Sequence, residues 1–416
     1  MPVLDEWDMS VPLVLRAREG TLQLAQLWAQ QNEHRMLVVN LLTLLLQKIT
    51  NYNVVVSMYC GLAFEVLALV LILRILALTL RGSDSALFRP LALCASLIFF
   101  WPVAWENWTW GMPSIEFFGS LFWAVAVAWA LTEWPGRWLG TVVASLCAIL
   151  GLCTAATGFP LLAMVILGIL APRLQGGRVR WTHLGFFALL LVPLVAFYFV
   201  GYNSLGHSLG SFVGSRAVSA IAYFFTYMGS FFWTKVGGWP LAFTVGLVGV
   251  AWFLICLRVL HRRSPDLMTA RELVPLALLA AYVILNGALT AFGRIDYGIA
   301  QGASSRHRSM TFPFWFAVVV VSVLLIRGAL AIRLARSLRF VAAGVAFFCV
   351  AVYGLFYEQG VRTIQNRSRM LREGLASVRE YQVASDEALE PLYPDPLRVR
   401  LLAKELDGYH LGPFAK

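Results

Sequence analysis

Long apolar runs, one after another, leave this chain few ways to fold. Ten stretches, residues 54–80, 87–104, 114–133, 138–154, 157–172, 182–200, 239–259, 273–292, 310–327 and 338–357, reach or approach the length of a membrane-crossing helix, about 20 residues. Lipid offers the backbone no hydrogen-bond partners, so such runs satisfy their own peptide groups as helices. Composition agrees: 59% of residues are hydrophobic and 13% charged, against about 45–50% and about 25% in soluble domains. A soluble enzyme and a disordered chain are both excluded. The expected fold is an all-α polytopic membrane protein. The net charge of +11 would invite a nucleic-acid partner, but the charges lie between apolar runs, where they orient the chain in a bilayer. No nucleic acid is expected. Six cysteines (60, 94, 147, 153, 256 and 349) sit in or beside apolar runs without metal-site spacing, so free, buried thiols are expected.

The chain divides into three parts. Residues 1–52 are too mixed in character to span. Within them MLVVNLLTLLLQ carries Asn40, Thr43 and Gln47 on one helical stripe and reads as an interfacial amphipathic helix. Residues 53–357 form the transmembrane bundle. Its fourth and fifth runs are short and divided at Thr157-Gly158-Phe159-Pro160, which reads as a helical hairpin that does not fully cross. Residues 216–235 read as an interfacial or re-entrant helix. The tail, 358–416, has Ile364, Leu371, Leu375 and Val378 at helical spacing, a break at LYPDP and a second helix over LRVRLLAKEL. It is expected to pack on the outer face of the bundle.

Arginine sets the orientation. One set of loops holds 14 arginines: 81, 89, 137, 173, 178, 180, 258, 262, 263, 271, 327, 333, 336 and 339. The opposite set holds five cations: Arg216, Lys235, Arg294, Arg306 and Arg308. The positive-inside rule places the first set in the cytoplasm. Residues 1–52, 105–113, 201–238, 293–309 and the tail then face outward, to the periplasm of a bacterial inner membrane. Export of residues 1–52 leads to the expectation that a first span precedes Met1 in the natural gene.

Four outward clusters could carry chemistry. Asp5-Glu6-Trp7-Asp8 crowds three carboxylates, which could supply a general base or hold a divalent cation such as Mg or Mn; no spacing demands a metal, and a solvated acidic end is the plainer reading. Glu33-His34-Arg35 suits a site or an ordinary loop. Trp105-Glu106-Asn107-Trp108-Thr109-Trp110 resembles an interfacial aromatic belt, which leaves Glu106 and Asn107 unexplained; Asn107 also opens a glycosylation sequon, a pattern common by chance. Arg294, Arg306 and Arg308 stand on the side that should be poor in arginine. Guanidinium groups grip phosphate in a planar fork, although lipid headgroup contact is the plainer role. Outward acids and arginines beside lipid-accessible spans point to a substrate with a phosphate and a long tail, such as a polyprenyl-phosphate sugar.

The segments Pro2–Asp8, Trp28–Arg35, Trp105–Gly111, Ala303-Ser304-Ser305-Arg306 and Leu392–Pro396, in that order, resemble bacterial members of the C-type (GT-C fold) integral-membrane glycosyltransferase superfamily, which use polyprenyl-phosphate sugars. The resemblance implies a bundle of about a dozen spans with interfacial helices in the first outward loop. It also implies transfer of a sugar from a polyprenyl-phosphate donor to a lipid, polysaccharide or secreted protein such as a pilin. Carried over, Asp5 matches the family's acidic residue and is the expected base, supported by Glu6 or Asp8. Arg294, Arg306 and Arg308 would hold the donor phosphate. Glu33, His34 and Arg35 would orient the donor or the acidic loop, and Glu106 and Asn107 would meet sugar or acceptor hydroxyls. Direct displacement would invert the anomeric centre. Two other readings remain: a lipid-linked glycan transporter or flippase, and a non-catalytic subunit for envelope assembly. Few charges inside the spans, chiefly Glu65 and Arg74, argue against transport.

Overall fold

The computed structural model describes residues 1–80, 85–175, 178–203, 214–233, 237–263, 270–331 and 336–415. Arg81, Lys235 and Arg333, and the side chains of Arg262, Arg263, Arg271, Arg327, Arg336, Arg339 and Cys349, lie outside the described residues.

In chain order the helices are α1 (Ser10–Glu19), α2 (Leu24–Leu27), α3 (Leu37–Thr50), α4 (Val54–Thr79), α5 (Ser85–Phe99), α6 (Trp105–Thr109), α7 (Gly111–Glu133), α8 (Trp138–Leu152) and α9 (Phe159–Leu170). There follow α10 (Trp181–Phe199), α11 (Ser215–Met228), α12 (Gly238–Arg263), α13 (Ala270–Arg294), α14 (Ser305–Ala331), α15 (Arg336–Arg379), α16 (Asp386–Leu389) and α17 (Pro396–Gly408). The described sheet is one two-stranded hairpin, β1 (Gln30–Gln31) with β2 (His34–Arg35). The protein is therefore an all-α, multi-pass membrane protein.

Among the described residues eight helical stretches are long and apolar enough to cross a bilayer. They match eight of the ten runs read from sequence. The run at 138–154 becomes α8, 15 residues or about 22 Å of helix, short of a crossing. The run at 338–357 falls in α15, where the side chains of most of its residues are not described.

Burial separates centre from rim. The apolar windows of α14 and α7 are 83% and 72% buried, whereas those of α10 and α12 are 17% and 28% buried. Helices α14 and α7 thus run through the protein, and α10 and α12 present most of their surface to lipid. Gly61 of α4 lies so close to α7 that a Cβ there would sit 2.5 Å from the Ser114 backbone. Gly158 is packed likewise, 2.3 Å from Leu152 Cα. That contact fixes the sharp passage from α8 into α9, together with hydrogen bonds from Trp123 Nε1 to Thr154 Oγ1 (3.0 Å) and between the Ser120 and Thr157 hydroxyls (2.9 Å).

Helix α3 inverts the usual amphipathic arrangement. Its stripe of Asn40, Thr43 and Gln47 is buried against protein, while Leu41, Leu45 and Ile49 are 48%, 52% and 70% exposed. Asn40 donates to the Leu27 carbonyl at 3.0 Å. An apolar face turned outward and a polar face turned inward fit a helix lying against lipid.

The tail departs from expectation. Helix α15 runs unbroken from the last apolar run to Arg379, so residue 358 marks no structural boundary. The tail also packs on the N-terminal segment. Val3, Trp7, Val11 and Val14 share one core with Val378, Leu392, Val399, Leu402 and Leu406. The two chain ends, read as separate parts, bury their apolar faces in each other. Fully burying one such side chain contributes about 1.5–3 kcal/mol. Cys60, Cys94 and Cys147 are half-buried and Cys153 and Cys256 buried, all as free thiols.

Candidate functional site

A cavity of about 580 Å³ opens at the end of the bundle that carries residues 1–52. Its polar lining includes Glu33, His34, Glu116, Tyr202, Arg294 and His307. Phe159, Phe199, Leu289, Phe292 and Met310 form apolar walls. Phe199 and Leu289 are also 50% and 38% exposed on the outside of the bundle, so the cavity borders the lipid-facing surface at α10 and α13.

The hairpin places Glu33 and His34. Its two-residue turn holds Asn32 in the left-handed region, φ 50°, which asparagine tolerates better than most residues. Gln30 braces it from the side, donating to the Asn32 and Asn203 carbonyls at 2.7 and 2.9 Å. Successive strand side chains point to opposite sides. His34 thus faces the cavity, and Arg35 faces the end of α10. There Arg35 donates to the carbonyls of Tyr198 (2.7 Å), Trp28 (2.7 Å) and Val200 (2.6 Å) and is buried. Arg35, expected to orient the donor or the acidic loop, is held at the C-terminus of α10 by these carbonyls.

Glu33 accepts from both Nε (2.6 Å) and a terminal nitrogen of Arg294, the last residue of α13. Burial would raise the Glu33 carboxyl, but His34 and Arg294 outweigh it and hold it below the usual carboxylate range. His34 Nδ1 accepts from the Ala156 backbone N–H at 3.1 Å, which leaves the proton of the neutral ring on Nε2. That atom lies 3.5 Å from Glu33 Oε1 and 3.8 Å from Glu116 Oε1. Burial pushes His34 down to about 4, with Arg294 and Arg306 adding to the effect against Glu33. At neutral pH His34 is therefore an uncharged donor between two carboxyl groups.

The three acids of residues 5–8 part company. Glu6 is buried, accepts from the Val3 and Met112 backbone N–H groups at 2.9 and 2.8 Å, and so caps the start of α7. Asp8 is exposed, accepts from Arg398 Nε at 3.2 Å and from the Tyr393 hydroxyl, and pins the tail. The half-buried Asp5 side chain accepts no hydrogen bond and joins no ion pair among the described residues; its charge is felt at Glu116. Glu6 and Asp8 are committed to different partners and Asp5 shares neither set, so the three do not converge on one ligand and do not fit the divalent-cation reading. Among the described residues no three metal-ligating side chains converge.

Burial pushes the Glu6 carboxyl up to about 7, although its backbone hydrogen bonds oppose the shift. An acid whose folded value exceeds its unfolded one, about 4.3, holds its proton longer in the folded state. It therefore subtracts stability as pH rises from about 4.5 to about 7. The lowered His34 works the other way, so the comparison must be differential. Relative to wild type, Glu6→Gln is expected to gain melting temperature steadily across that window, read by paired thermal melts in detergent. A pH-independent difference would contradict the burial of this carboxyl.

The tryptophan-rich segment turns out to be a brace. Glu106 Oε2 accepts from the Arg306 backbone N–H at 3.0 Å, capping α14. Asn107 is fully buried and donates to the Arg306 carbonyl (3.0 Å) and Ser309 Oγ (2.7 Å). Both residues, expected at sugar or acceptor hydroxyls, hold the backbone of Arg306. Arg308, expected at the donor phosphate, is buried, donates to the carbonyls of Val103 (3.1 Å) and Ala303 (3.2 Å), and stacks over Trp233 at 5.0 Å. Arg306 is the exception. Its guanidinium pairs with no carboxylate among the described residues, its Nε is buried without a hydrogen-bond partner, and its charge reaches His34.

Of the residues expected to be functional, Glu33, His34 and Arg294 meet at the cavity. Arg306 and Asp5 act on it electrostatically, and Glu6, Asp8, Arg35, Glu106, Asn107 and Arg308 are held by structural contacts. Glu116 and Tyr202 were not foreseen. Glu116 was counted among the residues of an apolar span, although an acid in the first two turns of such a span is itself a signal. Arg367 of α15 was missed too; its charge is felt at Glu6, and it in turn feels the charges of Glu106 and Glu6. Comparison with protein-family models, curated proteins and solved structures finds no match.

Proposed function

We propose that the protein is a membrane glycosyltransferase that moves a sugar from a polyprenyl-phosphate donor to an envelope acceptor. The observation that carries this reading is that the Asp5 carboxylate and the Arg306 guanidinium find no ionic partner among the described residues, while their charges reach Glu116 and His34 in the lining of a cavity at the rim of the bundle. Displacing a phosphate from a sugar needs a base for the acceptor hydroxyl and positive charge for the leaving group. Asp5 would take the hydroxyl proton, and Arg306 would hold the phosphate oxygens. His34, neutral and donating from Nε2, would orient a polar group beside Glu116. The apolar walls at α10 and α13 would receive the first part of the lipid tail. Direct attack would invert the anomeric centre. Under this reading the cavity end faces the periplasm.

The test is mass spectrometry of envelope glycans and secreted proteins with and without the gene. Loss of one sugar on deletion, restored by the wild-type gene and not by Asp5→Asn, supports transfer; an unchanged glycan profile on deletion defeats it. At Arg306 a charge-assisted hydrogen bond of about 1.5–3 kcal/mol is at stake. Arg306→Ala should weaken donor binding about ten- to a hundredfold, and Arg306→Lys should not restore it, because the fork is lost. Equal donor affinity in all three proteins would return Arg306 to a headgroup role.

Glu65 favours a second reading, lipid-linked glycan transport. It is fully buried within α4 with both carboxyl oxygens unpartnered among the described residues, and ionisable groups inside spans commonly mark transport routes. Abolished glycan delivery in Glu65→Gln, with Asp5→Asn fully active, would favour transport over transfer.

A further inference from the structure

A second cavity, of about 590 Å³, lies at the opposite end of the bundle. Glu116 lines the first cavity and Glu133 the second, and both belong to α7. A separation of 17 residues along one helix (133 − 116) places them about 26 Å apart.

The charge around this cavity is unbalanced. Arg178 and Arg180 line it, and neither pairs with a carboxylate among the described residues. The one acid in the lining, Glu133, is already gripped by Arg74 through Nε at 2.8 Å and a terminal nitrogen at 2.7 Å. Two guanidinium groups therefore stand over the space with no carboxylate paired to them among the described residues.

The helix starts around it are anomalous in the same direction. Helices α8 and α10 both begin here, with Arg137 and Arg180 at their N-cap positions and no side chain capping either. Such positions favour Ser, Thr, Asp or Asn, and the positive end of the helix dipole disfavours a cation. A bound anion would answer the arginines, and Thr141 of α8 and His183 of α10 bring the two helix starts, with their positive dipole ends, to the cavity lining.

The floor is rigid. His183, in the first turn of α10, is 2% exposed. Its Nδ1 is hydrogen-bonded to the Thr141 hydroxyl of α8 at 2.7 Å, and its ring stacks on Trp138 at 4.1 Å. The two helix starts are thus locked at a fixed spacing. His183 lines the cavity, and its Nε2 has no partner among the described residues. Leu131 and Ile169 add an apolar wall.

We propose that this cavity binds a phosphate group, with Arg178 and Arg180 as its charged donors and the starts of α8 and α10 as its floor. The proposal rests on this end of the bundle alone and stands apart from glycosyl transfer at the other. Phosphate of this kind reaches the site either in an anionic lipid headgroup or as a soluble phosphate compound.

The test uses the full chain in phosphatidylcholine nanodiscs with two probes: inorganic pyrophosphate, followed by titration calorimetry, and phosphatidylglycerol doped into the disc, counted by native mass spectrometry. Saturable binding of one equivalent of either probe is expected. Binding of pyrophosphate marks a soluble source; retention of the lipid alone marks the membrane. Arg178→Gln/Arg180→Gln should weaken binding about ten- to a hundredfold. The control Arg89→Gln/Arg173→Gln alters exposed arginines outside the cavity lining and should change it less than twofold. Arg178→Lys/Arg180→Lys keeps the charges without the fork and should bind between these extremes, which separates loss of the site from loss of the fold. No saturable binding of either probe overturns the proposal. So does equal weakening by the control pair, which would mark bulk attraction between arginines and headgroups.

Discussion

Asp5→Asn should cut turnover by about 10²–10⁴-fold, the usual contribution of a positioned general base, while the protein still folds, inserts and binds donor. The structure sharpens this expectation through the fates of the neighbouring acids. Glu6 is occupied by the backbone N–H groups of Val3 and of Met112 at the start of α7, and Asp8 by Arg398 and Tyr393 of the tail. The Asp5 side chain accepts nothing among the described residues, so neutralising it removes basicity without removing a contact seen there. The controls then have distinct signatures. Glu6→Gln leaves one buried N–H unsatisfied and should cost about 1–3 kcal/mol of stability, with turnover per folded molecule little changed. Asp8→Asn breaks an exposed pair worth about 0–1 kcal/mol. Normal turnover in Asp5→Asn, measured with donor binding confirmed, would remove the chemical centre from the glycosyltransferase reading.

Breaking the Glu33–Arg294 pair should give the largest loss of stability. Side-chain exposures of 24% and 19% mark the pair as mostly desolvated. Removing one partner from a buried pair typically costs about 3–5 kcal/mol, because the other charge is left uncompensated; partial exposure argues for the lower end. Glu33→Ala should therefore lower the melting temperature sharply and release the α13 end from the hairpin. Arg294→Met in that background should recover most of the loss, since replacing both partners of a buried pair is often near neutral. A double-mutant cycle of thermal melts reads the coupling directly. Additive losses would show that the two side chains act independently and that the hairpin is held by Gln30 and Arg35 instead.

How much of this site was legible beforehand depended on the kind of residue. Arg294 stood out because arginine is unusual on that side, whereas Glu33 and His34 stood out only as a charged cluster that suits a site or an ordinary loop, inside a segment carrying the family resemblance. The Asp5-Glu6-Trp7-Asp8 cluster was visible as a cluster, but its division of labour was not. Which carboxylate is free depends on where α7 starts, about a hundred residues later, and on the tail nearly four hundred residues later. Arg308 and Arg306 look alike in sequence, two residues apart in one helix. Their difference is that Arg308 meets the Val103 and Ala303 carbonyls, whereas among the described residues no carbonyl or carboxylate meets the Arg306 guanidinium. Glu116 was passed over because hydropathy averages over a window, and one acid in an apolar run barely moves the mean.

By itself the sequence determined the membrane class, eight of the spans, the one-sided polar stripe of α3 and the broken passage from α8 to α9. Each follows from local physics: apolar length against bilayer thickness, helical periodicity, and Gly and Pro at a turn. Only the tertiary structure decided that the two chain ends share a core, that α15 runs on past the last apolar run, and which charges are structural. Those outcomes depend on partners brought together from distant parts of the chain. Local hydropathy carries no record of them, because a buried polar group is settled by whichever donor or acceptor the fold places beside it.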